Sequence, residues 1–244
     1  MGWISPIPPA WQATLGGSHL TGQSSGIPII SRTSVGPPAF AFDPLQIVGT
    51  TGTAQVPSPV PTVTLLDFSL DDPLHGDLSN STGTNDLWTH LSRAIYGLVV
   101  PGTRTYLTLG HSGGHASGVC YKCTQSDGTL CGGYCAPDAD DYSLYYWLWD
   151  LDDLVAVKAG ALSPHEPRPY ELGVLPSAFD TRELGGGAFD PASGLLYLTL
   201  QRADLEQGAY SNPPVVAVYR FVVAGLFDDG FESGDASSWA RAIP

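Results

Sequence analysis

The four cysteines are the densest cluster of reactive side chains in the sequence. They fall within 16 residues, with the spacing C-x2-C-x7-C-x3-C, in a glycine-rich stretch that follows a predicted strand. Two disulfides would hold together a loop that is too polar to form a core of its own. Four thiolates could instead bind one structural zinc ion, although the central gap is shorter than in most zinc ribbons. The sequence leaves both chemistries open. If disulfides form, it also leaves open all three ways of pairing Cys120, Cys123, Cys131 and Cys135.

Ser112 is a candidate nucleophile. It lies in the segment GHSGG, which matches the G-x-S-x-G pattern of a nucleophile elbow, where a sharp strand-to-helix turn exposes the serine. The residues that follow show no helical periodicity, so a glycine-rich turn between strands is the simpler interpretation. If Ser112 acted as a nucleophile, His165 would be a candidate base, with Asp150 or Asp153 as the carboxylate that orients it.

Two groups of residues could bind a metal ion. His111 and His115 would lie on one face of a strand, because an even separation preserves the face. Asp138, Asp140 and Asp141 form an oxygen-rich loop of the kind that binds calcium, although the EF-hand pattern is absent. The sequence therefore allows zinc or calcium as a cofactor and requires neither.

An aromatic row lies in the segment YSLYYWLWD. Strand alternation puts Tyr145, Trp147 and Trp149 on one face. An exposed row of this kind would stack against a sugar or an apolar ligand. A strand buried between two sheets has the same pattern, so the core interpretation is favoured.

The charge balance excludes several partners. The chain has 24 acidic and 10 basic residues and a net charge of −14, which repels nucleic acid and anionic membrane surfaces. No apolar run reaches the length of about 18 residues that a transmembrane helix requires.

Only two lysines accompany many Ser, Thr, Gly and Asp residues, a composition that suggests an exported protein. We expect a secreted, periplasmic or cell-surface location. The first residues lack the features of a signal peptide, which predicts either a removed leader or a longer parent chain.

Short strands dominate the elements that must position these residues. Runs rich in Val, Ile, Tyr, Phe and Thr are bounded by Gly, Pro, Asn and Asp. The predicted strands are Ile27–Ser31, Ala39–Phe42, Val60–Phe68, Ala94–Val100, Thr105–Leu109, Leu144–Trp149, Tyr170–Leu175, Leu195–Leu200 and Val215–Val223. The two predicted helices are Asp152–Lys158 and Asn85–Leu91.

An internal repeat indicates how the strands are grouped. The tetrapeptide Tyr-Leu-Thr-Leu occurs at Tyr106–Leu109 and again at Tyr197–Leu200, each time after a strand and a tight turn. Strand groups of about four, repeated two to three times over residues 27–223, resemble the blades of a β-propeller. The resemblance implies an all-β fold of antiparallel blades, as a partial or compact propeller, since a closed ring needs about four blades. A β-sandwich is the alternative.

The end of the sequence differs from the rest. Residues 226–239, LFDDGFESGDASSW, resemble the DGFESGD-type C-terminal tails of exported proteins of Gram-negative bacteria. The sequence therefore predicts an all-β repeat domain over 1–226, with a cysteine-rich loop at 110–137, and an acidic tail over 227–244.

Three classes of function remain. A binding or scaffold module for a small molecule, a glycan or a protein is favoured, because no complete catalytic constellation can be assembled. The competing class is an extracellular hydrolase, either an esterase using Ser112 or a carboxylate-based glycosidase or lactonase on a propeller face. The third is an intracellular interaction protein stabilised by zinc. Whether the protein is an enzyme stays open.

Overall fold

Antiparallel strands make up most of the regular structure. The computed structural model describes residues 2–23, 34–48, 59–179, 181–208 and 211–220, so the predicted strand Ile27–Ser31 and the acidic tail lie outside the described residues. The strands are β1 (Gly2–Pro6), β2 (His19–Gln23), β3 (Ala39–Phe42), β4 (Val63–Leu66), β5 (Arg93–Val99), β6 (Thr105–Gly113), β7 (Cys120–Tyr121), β8 (Tyr134–Cys135), β9 (Tyr142–Asp150), β10 (Glu171–Val174), β11 (Leu184–Asp190), β12 (Leu195–Leu200) and β13 (Val215–Arg220). The helices are α1 (Pro9–Leu15) and α2 (Leu151–Lys158), and Pro44–Gln46 forms a single 3-10 turn.

The strands form four antiparallel sheets in sequence order. The first sheet is β1-β2-β3-β4, the second is β5-β6-β9-β10 and the third is β11-β12-β13. The short hairpin β7-β8 forms the fourth sheet and is inserted between β6 and β9. The predicted all-β class and the antiparallel pairing are confirmed by these sheets. None of the described sheets closes on itself.

Most predicted elements match observed ones. β12 has the predicted limits, α2 begins one residue earlier than predicted, and β6 continues past Leu109 to Gly113. The predicted helix Asn85–Leu91 is wrong. The Asn85 side-chain oxygen accepts hydrogen bonds from the amides of Leu87 and Trp88, and its amide nitrogen donates to the Trp88 carbonyl. These bonds fix a turn in place of the helical ladder.

The three larger sheets meet through their first strands. β1, β5 and β11 contact one another. The Trp3 ring of β1 lies 6.2 Å from the ring of Tyr96 and 6.4 Å from that of Tyr106, measured between centroids. Gly97 allows this approach, because a Cβ there would lie 2.7 Å from Trp3. The junction of the first strands is thus a tightly packed core.

The aromatic row of β9 belongs to that core. The exposed fractions of Tyr145, Trp147 and Trp149 are 5%, 0% and 0%. Their polar atoms are satisfied internally: the Tyr145 hydroxyl donates to the Asp86 carbonyl and the Trp147 indole to that of Leu87, and the Trp149 indole donates to the Thr108 hydroxyl. These rings therefore do not form an exposed row for ligand stacking. The core interpretation that the sequence favoured is the one observed, since β9 is covered on this face.

The cysteine-rich loop is held by two disulfides. Cys120 bonds to Cys123, and Cys131 bonds to Cys135. Cys120 and Cys135 also face each other as register partners in the β7-β8 hairpin. This pairing was one of the three that the sequence allowed.

Among the described residues no helix is long and apolar enough to cross a bilayer.

The junction of the first strands predicts the effect of a small substitution. Gly97→Ala would press a methyl group against Trp3 and the Tyr106 hydroxyl, and overpacking of this kind costs about 1–3 kcal/mol. We expect the free energy of unfolding in urea to fall by that amount. Gly76→Ala is the matched control, because a Cβ there has no atom within 4 Å. An equal, small effect of both substitutions would contradict the packing described here.

Candidate functional site

A cleft opens where the three first strands converge. It has two adjoining lobes of about 320 Å³ each, and both are lined by Arg93, His111 and Glu183. The first lobe adds residues of β1 and β11 together with Gln201, and the second adds residues near the cysteine-rich loop. Trp3 and Gln201 also line the first lobe, and the second is also lined by His90, Tyr134, Tyr142 and Arg182. We call the two lobes together the central cleft.

Arg93 and His111 are placed side by side by strand register. They are directly opposite each other in the antiparallel pair of β5 and β6. Opposite residues in such a pair share a face and have Cβ atoms about 5 Å apart. Two basic side chains are thus concentrated at one point of a chain whose net charge is −14.

His111 presents a hydrogen-bond donor to its surroundings. The Leu184 amide N–H donates to His111 Nδ1 at 3.4 Å, so the neutral ring carries its proton on Nε2. Burial, and then the positive charge of Arg93, lowers the pKa of His111 from 6.5 to about 4. The ring is therefore uncharged at neutral pH, which relieves repulsion between the two basic residues.

The Arg93 guanidinium has no partner in the described part of the chain. Arg93 as a whole residue is half-buried, and its side chain makes no hydrogen bond or ion pair there. Other arginines are engaged: Arg104 and Arg182 pair with Asp152 and Asp140, and Arg168 donates to three backbone carbonyls. Five N–H donors in a rigid fork are therefore available at the centre of the cleft.

The second lobe has aromatic walls. The rings of His90 and Tyr134 stack with centroids 4.1 Å apart. The Arg182 guanidinium lies over the Tyr142 ring at 5.5 Å and pairs with Asp140 at 2.7 Å. Aromatic side chains and an ion-paired arginine therefore line the second lobe together with Arg93.

Ser112 lies on the other face of β6, in a buried chain of hydrogen bonds. Its hydroxyl is 2.7 Å from His115 Nε2 and 2.6 Å from the Ser92 hydroxyl. His115 Nδ1 lies 2.8 Å from the Asn85 carbonyl, which can only accept, so Nδ1 carries a proton. In the neutral ring, Nε2 then accepts from Ser112, Ser112 accepts from Ser92, and Ser92 accepts from the Thr89 amide.

This arrangement differs from a nucleophile elbow, and also from the glycine-rich turn that the sequence favoured. Ser112 is 1% exposed and lies within a continuous strand, and no helix follows it. The candidate partners are elsewhere: His165 lies near Asp72, and Asp150 accepts the first-turn amide of α2. Ser112 does have a histidine partner, but that partner is His115, with a backbone carbonyl in the position where a hydrolase has a carboxylate.

The candidate metal ligands are not brought to a common point. His111 faces the cleft, while His115 belongs to the Ser112 chain. Asp141 accepts from Ser117, Asp138 from the Asp140 amide, and Asp140 pairs with Arg182. Among the described residues, the one group of three or more possible ligands is the sulfur cluster of Cys120, Cys123 and Cys135. Those sulfurs are in the disulfides.

Sequence reasoning identified His111 but missed its neighbours. Arg93, Glu183 and Tyr134 carry no motif. The signal that singles out Arg93 is its register opposite His111, which requires the bulge between Ala94 and Tyr96 to be known.

The shifted pKa of His111 predicts a pH dependence of stability. The folded protein holds His111 neutral down to about pH 4, whereas the unfolded chain takes up the proton near pH 6.5. Stability is therefore lost as the pH falls from 6.5 to 4, by about 3 kcal/mol for this group. His111→Gln should remove that loss, as measured by urea unfolding at pH 7 and pH 4. If the free energies of unfolding of the two proteins changed equally between pH 7 and pH 4, this prediction would be contradicted. Arg93→Gln removes the neighbouring positive charge, so it should raise the pKa of His111 in an NMR titration.

The Ser112 chain predicts a structural role for its hydroxyl. Ser112→Ala removes the hydroxyl that accepts from Ser92 and donates to His115 Nε2, so the free energy of unfolding should fall by about 1–3 kcal/mol. A fluorophosphonate probe should leave the folded wild-type protein unlabelled, because the hydroxyl is covered. Stoichiometric labelling that is lost in Ser112→Ala would instead establish a nucleophile.

Comparisons with known proteins give no information about the site. Protein-family models, curated proteins and solved structures gave no match to this chain. What the protein does must therefore be inferred from the central cleft itself.

Proposed function

We propose that the protein is a binding module whose small ligand occupies the central cleft. The observation that carries this proposal is the half-buried Arg93, which lines both lobes and has no partner in the described part of the chain. No hydrogen bond or ion pair within the described residues uses its guanidinium, so the N–H groups remain available to a ligand. Each lobe has a volume at the lower end of the range of small-molecule sites, about 300–1,000 Å³.

The arrangement of the sheets supports a propeller-like frame for this cleft. Three successive meanders contact one another through their first strands, as blades do around a propeller axis. The two Tyr-Leu-Thr-Leu segments fall on the second strand of the second and third sheets, β6 and β12. In this proposal the ligand lies at the axis, where all three sheets contribute side chains.

Several features favour an exported protein. The two disulfides suit an oxidising compartment. The low lysine content, the net charge of −14 and the resemblance of the C-terminal segment to tails of exported bacterial proteins agree with it. We therefore propose a secreted, periplasmic or cell-surface binding module.

A hydrolase is the second candidate, favoured by the 2.7 Å contact of Ser112 with His115. The burial of Ser112 argues against it, since a substrate carbonyl must reach the nucleophile. A glycosidase in the cleft is also disfavoured. That chemistry uses two carboxylates, and Glu183 is the one carboxylate among the described residues that line the lobes.

Filling the cleft tests the proposal. Gly186 lines the first lobe, and a Cβ there would have no atom within 4 Å, so the backbone leaves room for Gly186→Leu to begin a side chain. We would screen neutral monosaccharides, uronic acids and dicarboxylic acids by calorimetry. At least one class should bind to the wild type, and its affinity should fall tenfold or more in Gly186→Leu.

Gly132→Leu is the matched control, because it adds the same side chain in open space within the cysteine-rich loop. It should leave binding unchanged. Binding that Gly186→Leu and Gly132→Leu leave equally intact would place the ligand outside the cleft. Absence of binding by all three classes would count against a small-molecule binding module.

A further inference from the structure

We propose that the ligand of the central cleft is a hydroxylated carboxylic acid of the uronic acid type, with its carboxylate on Arg93 and His111. This inference rests on the proposed function and names the chemical class that the cleft selects.

Arg93 and His111 are register partners, and both line the two lobes, so each can offer a donor to the same ligand. The guanidinium offers parallel N–H groups, which match the two oxygens of a carboxylate. The Leu184 amide occupies His111 Nδ1, so the imidazole can offer only its Nε2–H to a ligand while it is neutral. An acceptor with two oxygens and a negative charge satisfies both side chains.

The charges of the described lining disfavour a doubly charged anion. Arg182 is already neutralised by Asp140, which leaves Arg93 as the unpaired cation among the described lining residues. Glu183 adds a carboxylate to both lobes and has no ion-pair partner among the described residues. A dianion such as phosphate would be attracted by one cation and repelled by Glu183. A monocarboxylate matches the lining better.

The remaining polar groups suit hydroxyls. The Glu183 carboxylate accepts hydrogen bonds only, and the amide of Gln201 both donates and accepts. A hydroxyl can donate to Glu183 and can pair with Gln201 in either direction. The stacked rings of His90 and Tyr134 border the second lobe, and ring faces of this kind pack against the C–H face of a sugar. Carboxylate, hydroxyls and a flat ring together describe a uronic acid.

The test compares one sugar with and without its charge. Galacturonate and its neutral methyl ester would be titrated into the full chain by calorimetry. The acid should bind at least tenfold more tightly than the ester, and Arg93→Gln should abolish that preference. Arg220→Gln is the matched control, since it removes the same charge from an exposed position of β13 outside the cleft lining. It should preserve the preference for the acid.

A structural readout accompanies the affinities. Saturating galacturonate should shift the imidazole resonances of His111 in the wild type and in Arg220→Gln, and leave them unchanged in Gly186→Leu. Circular dichroism of each variant checks that it is folded.

Three results would overturn the inference. Equal affinity for acid and ester would show that the charge is not recognised, while the cleft would remain a binding site. An acid preference that survives in Arg93→Gln would place the carboxylate elsewhere. No binding of either compound would exclude the uronic acid class, and the neutral sugars and dicarboxylic acids of the wider screen would then decide separately whether the cleft binds a ligand at all.

Discussion

The close approach of three first strands is the constraint on which the rest of the structure depends. β1, β5 and β11 can meet only because Gly97 leaves room for the Trp3 ring, and because Gly187 lies where a Cβ would be 2.6 Å from Tyr96. The sheets then fan out from this junction, and the central cleft is the space left between them. Any change that separates the first strands alters the core and the cleft together.

The junction also carries polar groups that packing alone does not explain. Among the described residues, Trp3 Nε1, Ser5 Oγ and the Tyr106 hydroxyl are buried without a hydrogen-bond partner, and all three residues lie on β1 or β6 close to it. Each such group costs about 1–3 kcal/mol. Arg93 opposite His111 adds an unfavourable pairing of basic residues, which His111 relieves by staying neutral. The region around the cleft is therefore not arranged for greatest stability, as is common where a ligand supplies missing contacts.

Local sequence patterns predicted most of the longer strands, but they missed β1, β2 and α1 and did not indicate how the strands are placed in space. The alternation and turn residues around β3, β9 and β12 were sufficient, because those signals act within a few residues. The segment Asn85–Leu91 misled, since its apparent helical character is overridden by the side-chain bonds of Asn85. The cleft could not be foreseen, because Arg93 and His111 become neighbours only through the register of β5 on β6. Ser112 was singled out by its match to the G-x-S-x-G pattern, but its burial depends on segments that the motif does not include.

The meander order of the sheets has a consequence for how the molecule assembles. Each larger sheet consists of strands that follow one another along the chain, so its hydrogen bonds close comparatively short loops. Each meander can therefore form as a cooperative unit before the units dock through β1, β5 and β11. The cleft is created by that last docking step. The cleft should accordingly be the first part of the structure to open under mild destabilisation. A bound ligand that bridges the first strands would stabilise the docking of the three meanders against one another.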